Sequence, residues 1–143
     1  MKKLTLLVLL CLLTGCAAAG EGGQLYQGMA IAGEGEDRSV TTCALTLDDR
    51  GRIARVLWDA QEGGASKKQL GDRYGMQSAS PIGREWHRQV AALEEYAVGK
   101  TPAELSAMGL DDKGAPTAEE LTSSCTISVA GFLKAMEAAV SGQ

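Results

Sequence analysis

The sequence predicts an α+β fold, in which a small antiparallel sheet, a meander, is packed by helices. Apolar and polar residues alternate with a period of two in the first half of the chain, which is typical of half-buried strands. In the second half, apolar residues recur at helical spacing behind helix-starting residues. The 143 residues, 45% of them hydrophobic, are enough for one compact domain. Strands followed by helices favour the α+β class.

Three strands are predicted between residues 26 and 58. They are Tyr26–Ala32, Val40–Leu47 and Ile53–Trp58. In the middle strand, Thr41, Cys43 and Leu45 share one face. The cluster Asp48–Gly51 consists of turn-forming residues, so it predicts a hairpin between the second and third strands.

Several helices are predicted after residue 80. Ser80 and Pro81 form a helix-starting pair, and Gly99 ends the apolar periodicity that follows. That periodicity comprises Ile82, Trp86, Val90, Leu93 and Ala97. Thr101–Glu104 and Thr117–Glu120 each place a threonine three residues before a glutamate, which predicts a capping box at the start of two short helices.

The first 16 residues carry a targeting signal. Lys2 and Lys3 precede an apolar run, Leu4–Leu13, and the segment Leu13–Cys16 has small residues before a cysteine. This order is typical of a bacterial lipoprotein signal, with Cys16 as the lipid attachment site on the extracytoplasmic face of the cell membrane. The predicted organisation is a signal peptide over 1–15, a lipidated flexible tether over 16–24 and one domain over 25–143. The alternative is an ordinary cleaved secretory peptide.

The net charge of the chain argues against nucleic acid as a partner and against membrane binding through a basic surface. The chain has 14 basic and 18 acidic residues, a net charge of −4. Removing residues 1–15 leaves 128 residues with 12 basic and 18 acidic side chains, a net charge of −6. An acidic body argues against nucleic acid as a partner. Membrane association is therefore expected from the acyl chains rather than from a basic surface.

Two cysteines remain available after processing. Cys11 leaves with the signal peptide and Cys16 is acylated, so Cys43 and Cys125 are left. In an oxidising compartment they are expected to form a disulfide, which would contribute about 4.5 kcal/mol by restricting the unfolded chain. The alternative is that both are small buried hydrophobic residues.

Motifs for several kinds of chemistry are missing from the sequence. His87 is the single histidine and has no Cys, His or Asp neighbours at ligand spacing, so a surface histidine is expected and no metal site. No Gly-x-Ser-x-Gly motif and no glycine-rich phosphate-binding motif is present. The sequence therefore lacks the usual signatures of a hydrolase or a nucleotide-binding enzyme.

The segment Leu121–Ser128 precedes the amphipathic helix predicted over about Ile127–Val140. Unpaired N–H groups at a helix start, together with the hydroxyls of Ser123 and Ser124, would form a site for an anion such as phosphate. The alternative is that one of these serines simply caps the helix.

Several short segments carry a resemblance to a known family. They are Tyr26–Ala30, Gly51–Ile53, Tyr74–Met76, Ser80–Trp86, Tyr96–Thr101 and Leu121–Thr126. Together they resemble the FMN-binding domain of bacterial envelope flavoproteins, specifically lipoproteins of the pheromone-precursor and extracellular-electron-transfer type. The resemblance covers nearly all of residues 25–141.

The resemblance implies a covalent flavin. In that family a flavin transferase esterifies the FMN phosphate to the last hydroxyl of a Ser/Thr-Gly-Ala-Ser/Thr motif that follows an acidic residue. The matching positions make Thr126 the acceptor, with Glu120 as the nearest acidic residue and Ser123 and Ser124 as further phosphate-binding hydroxyls. Ser124 stands where the family has glycine, and Cys125 where it has alanine.

A flavin ring needs a flat, mostly apolar slot. The residues that could build one are Tyr26, Trp58, Tyr74, Met76 and Trp86. The alternative is that these are ordinary core residues of a domain with few aromatics.

Three functions therefore stand as hypotheses. The first is a membrane-anchored electron carrier that holds FMN, covalently or non-covalently, and passes electrons to an envelope redox partner. The second is a non-redox lipoprotein that uses the same scaffold to bind a ligand or a protein. The third treats part of the excised segment 7–15 as a signalling peptide. The first two describe a carrier or a binding protein more than a classical enzyme.

Overall fold

The computed structural model describes residues 23–33 and 38–142. Its strands are β1 (Leu25–Ala32), β2 (Ser39–Leu47), β3 (Ile53–Glu62) and β4 (Ala65–Ser66). Its α-helices are α1 (Lys67–Leu70), α2 (Trp86–Ala97), α3 (Pro102–Ser106), α4 (Glu119–Thr122) and α5 (Ala130–Ser141), and a 3-10 turn covers Gly71–Tyr74. The strands form one antiparallel sheet in the order β1-β2-β3-β4. The predicted α+β class and its meander are confirmed.

The predicted alternation on β2 is confirmed. Thr41, Cys43 and Leu45 are buried against the helices, while the residues between them point to the other face of the sheet. Cys43 lies in a row across the sheet with Gly28 of β1 and Trp58 of β3. The sheet therefore has one face in the core and one face turned away from it.

The turn between β2 and β3 forms where the residues predict it. The Asp48 carboxylate accepts hydrogen bonds from the backbone N–H groups of Arg50 (2.9 Å) and Arg52 (2.8 Å). The bond from Arg52, with that from Arg50, holds the pKa of Asp48 below its usual value. Gly51 has a φ of +74°, which a residue with a side chain rarely adopts.

Helix α5 covers the inner face of β1 and β2, and α2 packs on β3. Phe132, Leu133 and Met136 of α5 are buried, as the helical spacing predicts. The helix approaches β1 so closely that a Cβ atom at Gly28 would overlap the backbone of Ala135 and Ala139. The absence of a side chain at Gly28 is what lets the helix and the strand meet.

Of the four predicted helix starts, one is confirmed and three differ in the structure. The Thr101 hydroxyl accepts a hydrogen bond from the Glu104 N–H (3.1 Å) and the Glu104 carboxylate accepts one from the Thr101 N–H (2.8 Å), which is the predicted capping box. Thr117 forms no such box because its N–H donates to the Gly109 carbonyl, and α4 begins after Ala118.

The pair Ser80 and Pro81 does not begin α2, which starts at Trp86 with Glu85 as its N-cap residue. The preceding residues turn back on themselves, with the Ser80 N–H bonded to the Met76 carbonyl at 2.9 Å. The C-terminal helix also starts later than predicted, at Ala130.

The expected disulfide is not formed. Cys43 and Cys125 are separate, buried thiols. Cys43 lies on β2 beneath α5, whereas Cys125 follows α4, which packs on α2. Burial, the largest cause in each case, raises the pKa of Cys43 to about 12 and that of Cys125 to about 11. Cys43 and Cys125 therefore match the alternative prediction, in which both are small buried hydrophobic residues.

The predicted signal peptide and the lipid attachment site at Cys16 lie outside the described residues. Among the helices that the structure describes, none combines the length and the apolar character needed to cross a membrane.

Replacing Gly28 tests the contact between β1 and α5. Gly28→Ala should lower the free energy of unfolding by about 1–3 kcal/mol, because the added methyl group forces the helix away from the strand. Urea denaturation measures the change. The control Gln27→Ala, on the exposed side of the same strand, should stay within about 0.5 kcal/mol of wild type. Equal effects of the two substitutions would contradict the close approach.

The buried thiols should be unreactive in the folded protein. With Cys16→Ser, iodoacetamide at pH 8 should leave Cys43 and Cys125 unmodified, and denaturant should expose both to alkylation. Because an unfolded thiol ionises near its usual pKa of 9, stability should also fall as the pH rises above 9. Intact mass counts the alkyl groups, and a chain that takes up none after denaturation without reductant would indicate a disulfide.

Candidate functional site

A cleft of about 370 Å³ lies between α2, the 3-10 turn and the segment before α5. Its volume is within the range of about 300–1,000 Å³ found for small-molecule sites. Its walls combine aromatic, apolar, hydroxyl and cationic groups, contributed by Lys67, Tyr74, Met76, Ser80, Trp86, Gln89, Thr126 and Ser128. The cleft is where the predicted acceptor, Thr126, meets part of the predicted aromatic slot.

The amide of Gln89 organises the cleft. Its carbonyl oxygen accepts hydrogen bonds from the N–H (2.8 Å) and from the hydroxyl (3.2 Å) of Thr126. Its NH₂ group donates to the hydroxyl of Ser80 (3.1 Å) and to the carbonyl of Arg84 (2.9 Å). Gln89 is fully buried, so these bonds satisfy an amide that would otherwise be costly to bury. They also set the direction of the Thr126 hydroxyl.

A second buried polar side chain holds the loop in front of α2. The Glu85 carboxylate accepts hydrogen bonds from the backbone N–H groups of Met76 (2.9 Å) and Gln77 (3.0 Å). These bonds fix the backbone of Met76, whose side chain lines the cleft.

The aromatic wall carries a cation. The rings of Tyr74 and Trp86 meet edge to face, with centroids 6.3 Å apart. The Lys67 Nζ atom lies 4.9 Å from the Tyr74 centroid and 5.8 Å from the Trp86 centroid, and 2.8 Å from a carboxylate oxygen of Glu62. Burial acts to lower the pKa of Lys67, but the bonds to Glu62 and Tyr74 outweigh it and raise the pKa. Lys67 is therefore charged at neutral pH.

Only one of the three predicted cofactor-binding hydroxyls lines the cleft. Thr126 lies there, while Ser123 is exposed at the C-terminal end of α4 and the Ser124 hydroxyl donates to the Leu121 carbonyl at 3.2 Å. The predicted anion site at a helix start fails for these serines because they follow the end of a helix, where carbonyls rather than N–H groups are unpaired. The capping alternative fails as well, since Val129 is the N-cap residue of α5.

The predicted aromatic slot is also only partly assembled. Tyr74, Met76 and Trp86 line the cleft. Trp58 belongs to the core, where its indole N–H donates to the Phe132 carbonyl at 3.1 Å. Tyr26 lies at the β2–β3 turn, in a different cavity.

The prediction of a surface histidine is only partly right, because His87 of α2 is half-buried: its Nε2 lies 3.7 Å from a carboxylate oxygen of Asp72, and its Nδ1 is buried without a hydrogen-bond partner among the described residues. Within residues 23–33 and 38–142, no group of three or more His, Cys, Asp or Glu side chains could hold a metal ion.

Sequence reasoning missed Lys67, Glu85 and Gln89. The sequence does indicate a role for Gln89. It lies on the apolar stripe of α2, next to Val90 and one turn from Trp86, which predicts a buried polar side chain that needs hydrogen-bond partners. Lys67 had none, because only the tertiary structure brings it onto the aromatic wall.

No protein-family model matches the chain. A curated relative, a chlorophenol reductase from Desulfitobacterium hafniense, is 30% identical over 164 aligned positions. The alignment covers 83% of this chain and 50% of the relative, so the chain spans about half the length of the relative it matches.

Removing the buried amide tests its structural role. Gln89→Leu should lower the free energy of unfolding by about 2–3 kcal/mol, because the partner groups at Thr126, Ser80 and Arg84 lose their hydrogen bonds in a buried setting. Urea denaturation measures it. Gln77→Leu, an exposed position, is the matched control and should change stability by less than about 0.5 kcal/mol. A Gln89→Leu protein as stable as this control would refute the role.

Proposed function

We propose that this protein is a lipid-anchored carrier of FMN on the extracytoplasmic face of the cell membrane, where it serves electron transfer. The observation that carries the proposal is the surroundings of Thr126. The hydroxyl that the family resemblance makes the flavin acceptor lines a cleft and is oriented by the buried amide of Gln89. An aromatic wall and a lysine cation line the same cleft.

The residues of the cleft fit the two ends of FMN. Tyr74, Met76 and Trp86 supply an aromatic and apolar wall for an isoalloxazine ring, with the rings of Tyr74 and Trp86 edge to face. Lys67 and the hydroxyl of Thr126 offer the cation and the oxygen that suit a phosphate.

The two departures from the family motif do not fill the cleft. Cys125 is fully buried and Ser124 bonds back to the end of α4, and neither side chain is part of the cleft wall. The extra atoms at these positions therefore leave room beside Thr126.

In this proposal the protein's residues hold the FMN molecule and surround it. When bound, FMN supplies the electron-transfer chemistry. Gln89 holds the Thr126 hydroxyl in one direction, and Lys67, which is paired with Glu62, contributes the cation that lines the cleft. Trp86 and Tyr74 form an aromatic side of the cleft.

The curated relative has the name of a reductase, and this chain matches half of its length. Chlorophenol reduction itself is a property of the longer relative, and we propose only electron transfer for this chain. A flavin transferase and an envelope redox partner are the implied partners.

Replacing the acceptor tests the proposal. The mature chain with Cys16→Ser should gain the mass of an FMN ester and visible absorbance when it is co-expressed with a flavin transferase. Thr126→Ala should abolish the added mass with the fold retained, and Thr126→Ser should keep it because the hydroxyl remains. Intact mass and circular dichroism are the measurements.

Ser123→Ala and Ser124→Ala are the matched controls, and both should load flavin normally because neither hydroxyl lines the cleft. A wild-type chain that stays unmodified and colourless, even after soaking with FMN, would remove the flavin proposal. It would favour the alternative of a non-redox ligand- or protein-binding lipoprotein.

A further inference from the structure

The sheet face that points away from the helices carries an exposed apolar patch. We call it the outer sheet face. Its large apolar residues are Leu25, Met29 and Ile31 on β1, Val40 on β2 and Leu57 on β3. Leu25, Met29, Ile31 and Leu57 are 60%, 57%, 52% and 45% exposed, respectively. Apolar residues clustered in this way mark an interaction surface.

The patch is also free of charge over two strands. The outward positions are residues 25, 27, 29 and 31 on β1 and residues 40, 42, 44 and 46 on β2, and none of them is charged. Charged side chains beside these positions come from β3, with Arg55 and Asp59, and from α1, with Lys68, which lines a cavity on this face with Met29 and Leu57. In a chain with 22% charged residues, eight neutral positions side by side favour an apolar, weakly polar partner.

The proposed anchor places a lipid surface next to this patch. Residues 17–24 separate Cys16 from Leu25, the first residue of β1. Eight residues span at most about 28 Å, and an eight-residue strand is itself about 26 Å long. The lipid on Cys16 therefore keeps the outer sheet face within reach of the bilayer, at a high effective concentration.

We propose that the outer sheet face rests on the bilayer surface, with Leu25, Met29 and Ile31 in contact with the lipid. The inference rests on the proposed function in taking Cys16 as the lipid attachment site. It orients the molecule: α5 lies against the opposite face of the sheet, and the cleft at Thr126 is lined by residues of the helices and connecting segments and by none of the outer sheet face.

A second copy of the chain is a less suitable partner for the outer sheet face than the bilayer. Three strands of this length cover about 26 Å by 14 Å, or about 370 Å² per partner. A stable interface takes about 800 Å² per partner. The patch is too small to hold a dimer by itself, but an anchored protein needs little additional affinity for the surface to which it is already attached.

The experiment uses the mature chain with Cys16→Ser, produced without a flavin transferase, so that neither lipidation nor covalent flavin enters the measurement. Sedimentation with phosphatidylcholine vesicles, and with vesicles of phosphatidylethanolamine and phosphatidylglycerol at about 3:1, measures partitioning. Met29→Ser/Ile31→Ser should weaken binding to both by about tenfold, because it removes exposed apolar area. Val98→Ser is the matched control, since Val98 is 51% exposed but lies at the end of α2, and it should bind as wild type does.

Binding to both vesicle types that is little affected by salt supports the proposal. Equal loss in the two variants, no loss in the double variant, or binding that needs anionic lipid and disappears in salt would overturn it. A dimer seen by sedimentation velocity and dissociated by Met29→Ser/Ile31→Ser would assign the face to a second copy. Flavin loading and acylation of Cys16 are read separately by mass, so failure of the proposed function is distinguishable.

Discussion

The cleft depends on one buried side-chain amide. Gln89 satisfies all of its bonding capacity by joining the turn at Ser80, the carbonyl of Arg84 and the backbone and hydroxyl of Thr126. A buried side-chain amide needs all of its hydrogen-bond partners. A polar group that loses its partner in the interior has no water to replace the lost bond, which lowers the free energy of unfolding. The same bonds that stabilise the fold therefore also orient the Thr126 hydroxyl, which is proposed to hold FMN. Gln89 thus contributes both to stability and to the proposed function.

The sheet separates two environments. Its inner face meets α5 through the bare backbone at Gly28, and this contact fixes the helix that follows the cleft. Its outer face keeps apolar side chains exposed on β1. In our account the first face supports the helices that frame the cofactor site and the second rests on the membrane, so one sheet supplies both the scaffold and the orientation.

The sequence pattern correctly predicted the parts of the fold that depend on residues close to one another in the chain. The alternation on β2, the turn at Asp48 and the capping box at Thr101 form as predicted, because each depends on residues close in sequence. Ser80 failed as a helix start because its N–H bonds to the Met76 carbonyl and its hydroxyl accepts a hydrogen bond from the Gln89 amide, which hold it in a turn. Ser123 and Ser124 failed because they follow the end of α4, whereas α5 begins only at Ala130.

We propose that the cleft takes FMN, with Thr126 and Lys67 as the groups that would hold its phosphate. Titration of the mature protein with FMN, followed by flavin fluorescence, tests this most directly. We expect quenching that saturates at one FMN per chain, and about tenfold weaker binding of riboflavin, because riboflavin lacks the phosphate that Lys67 and the Thr126 hydroxyl would hold. Equal binding of the two molecules, or no saturable quenching, would contradict it.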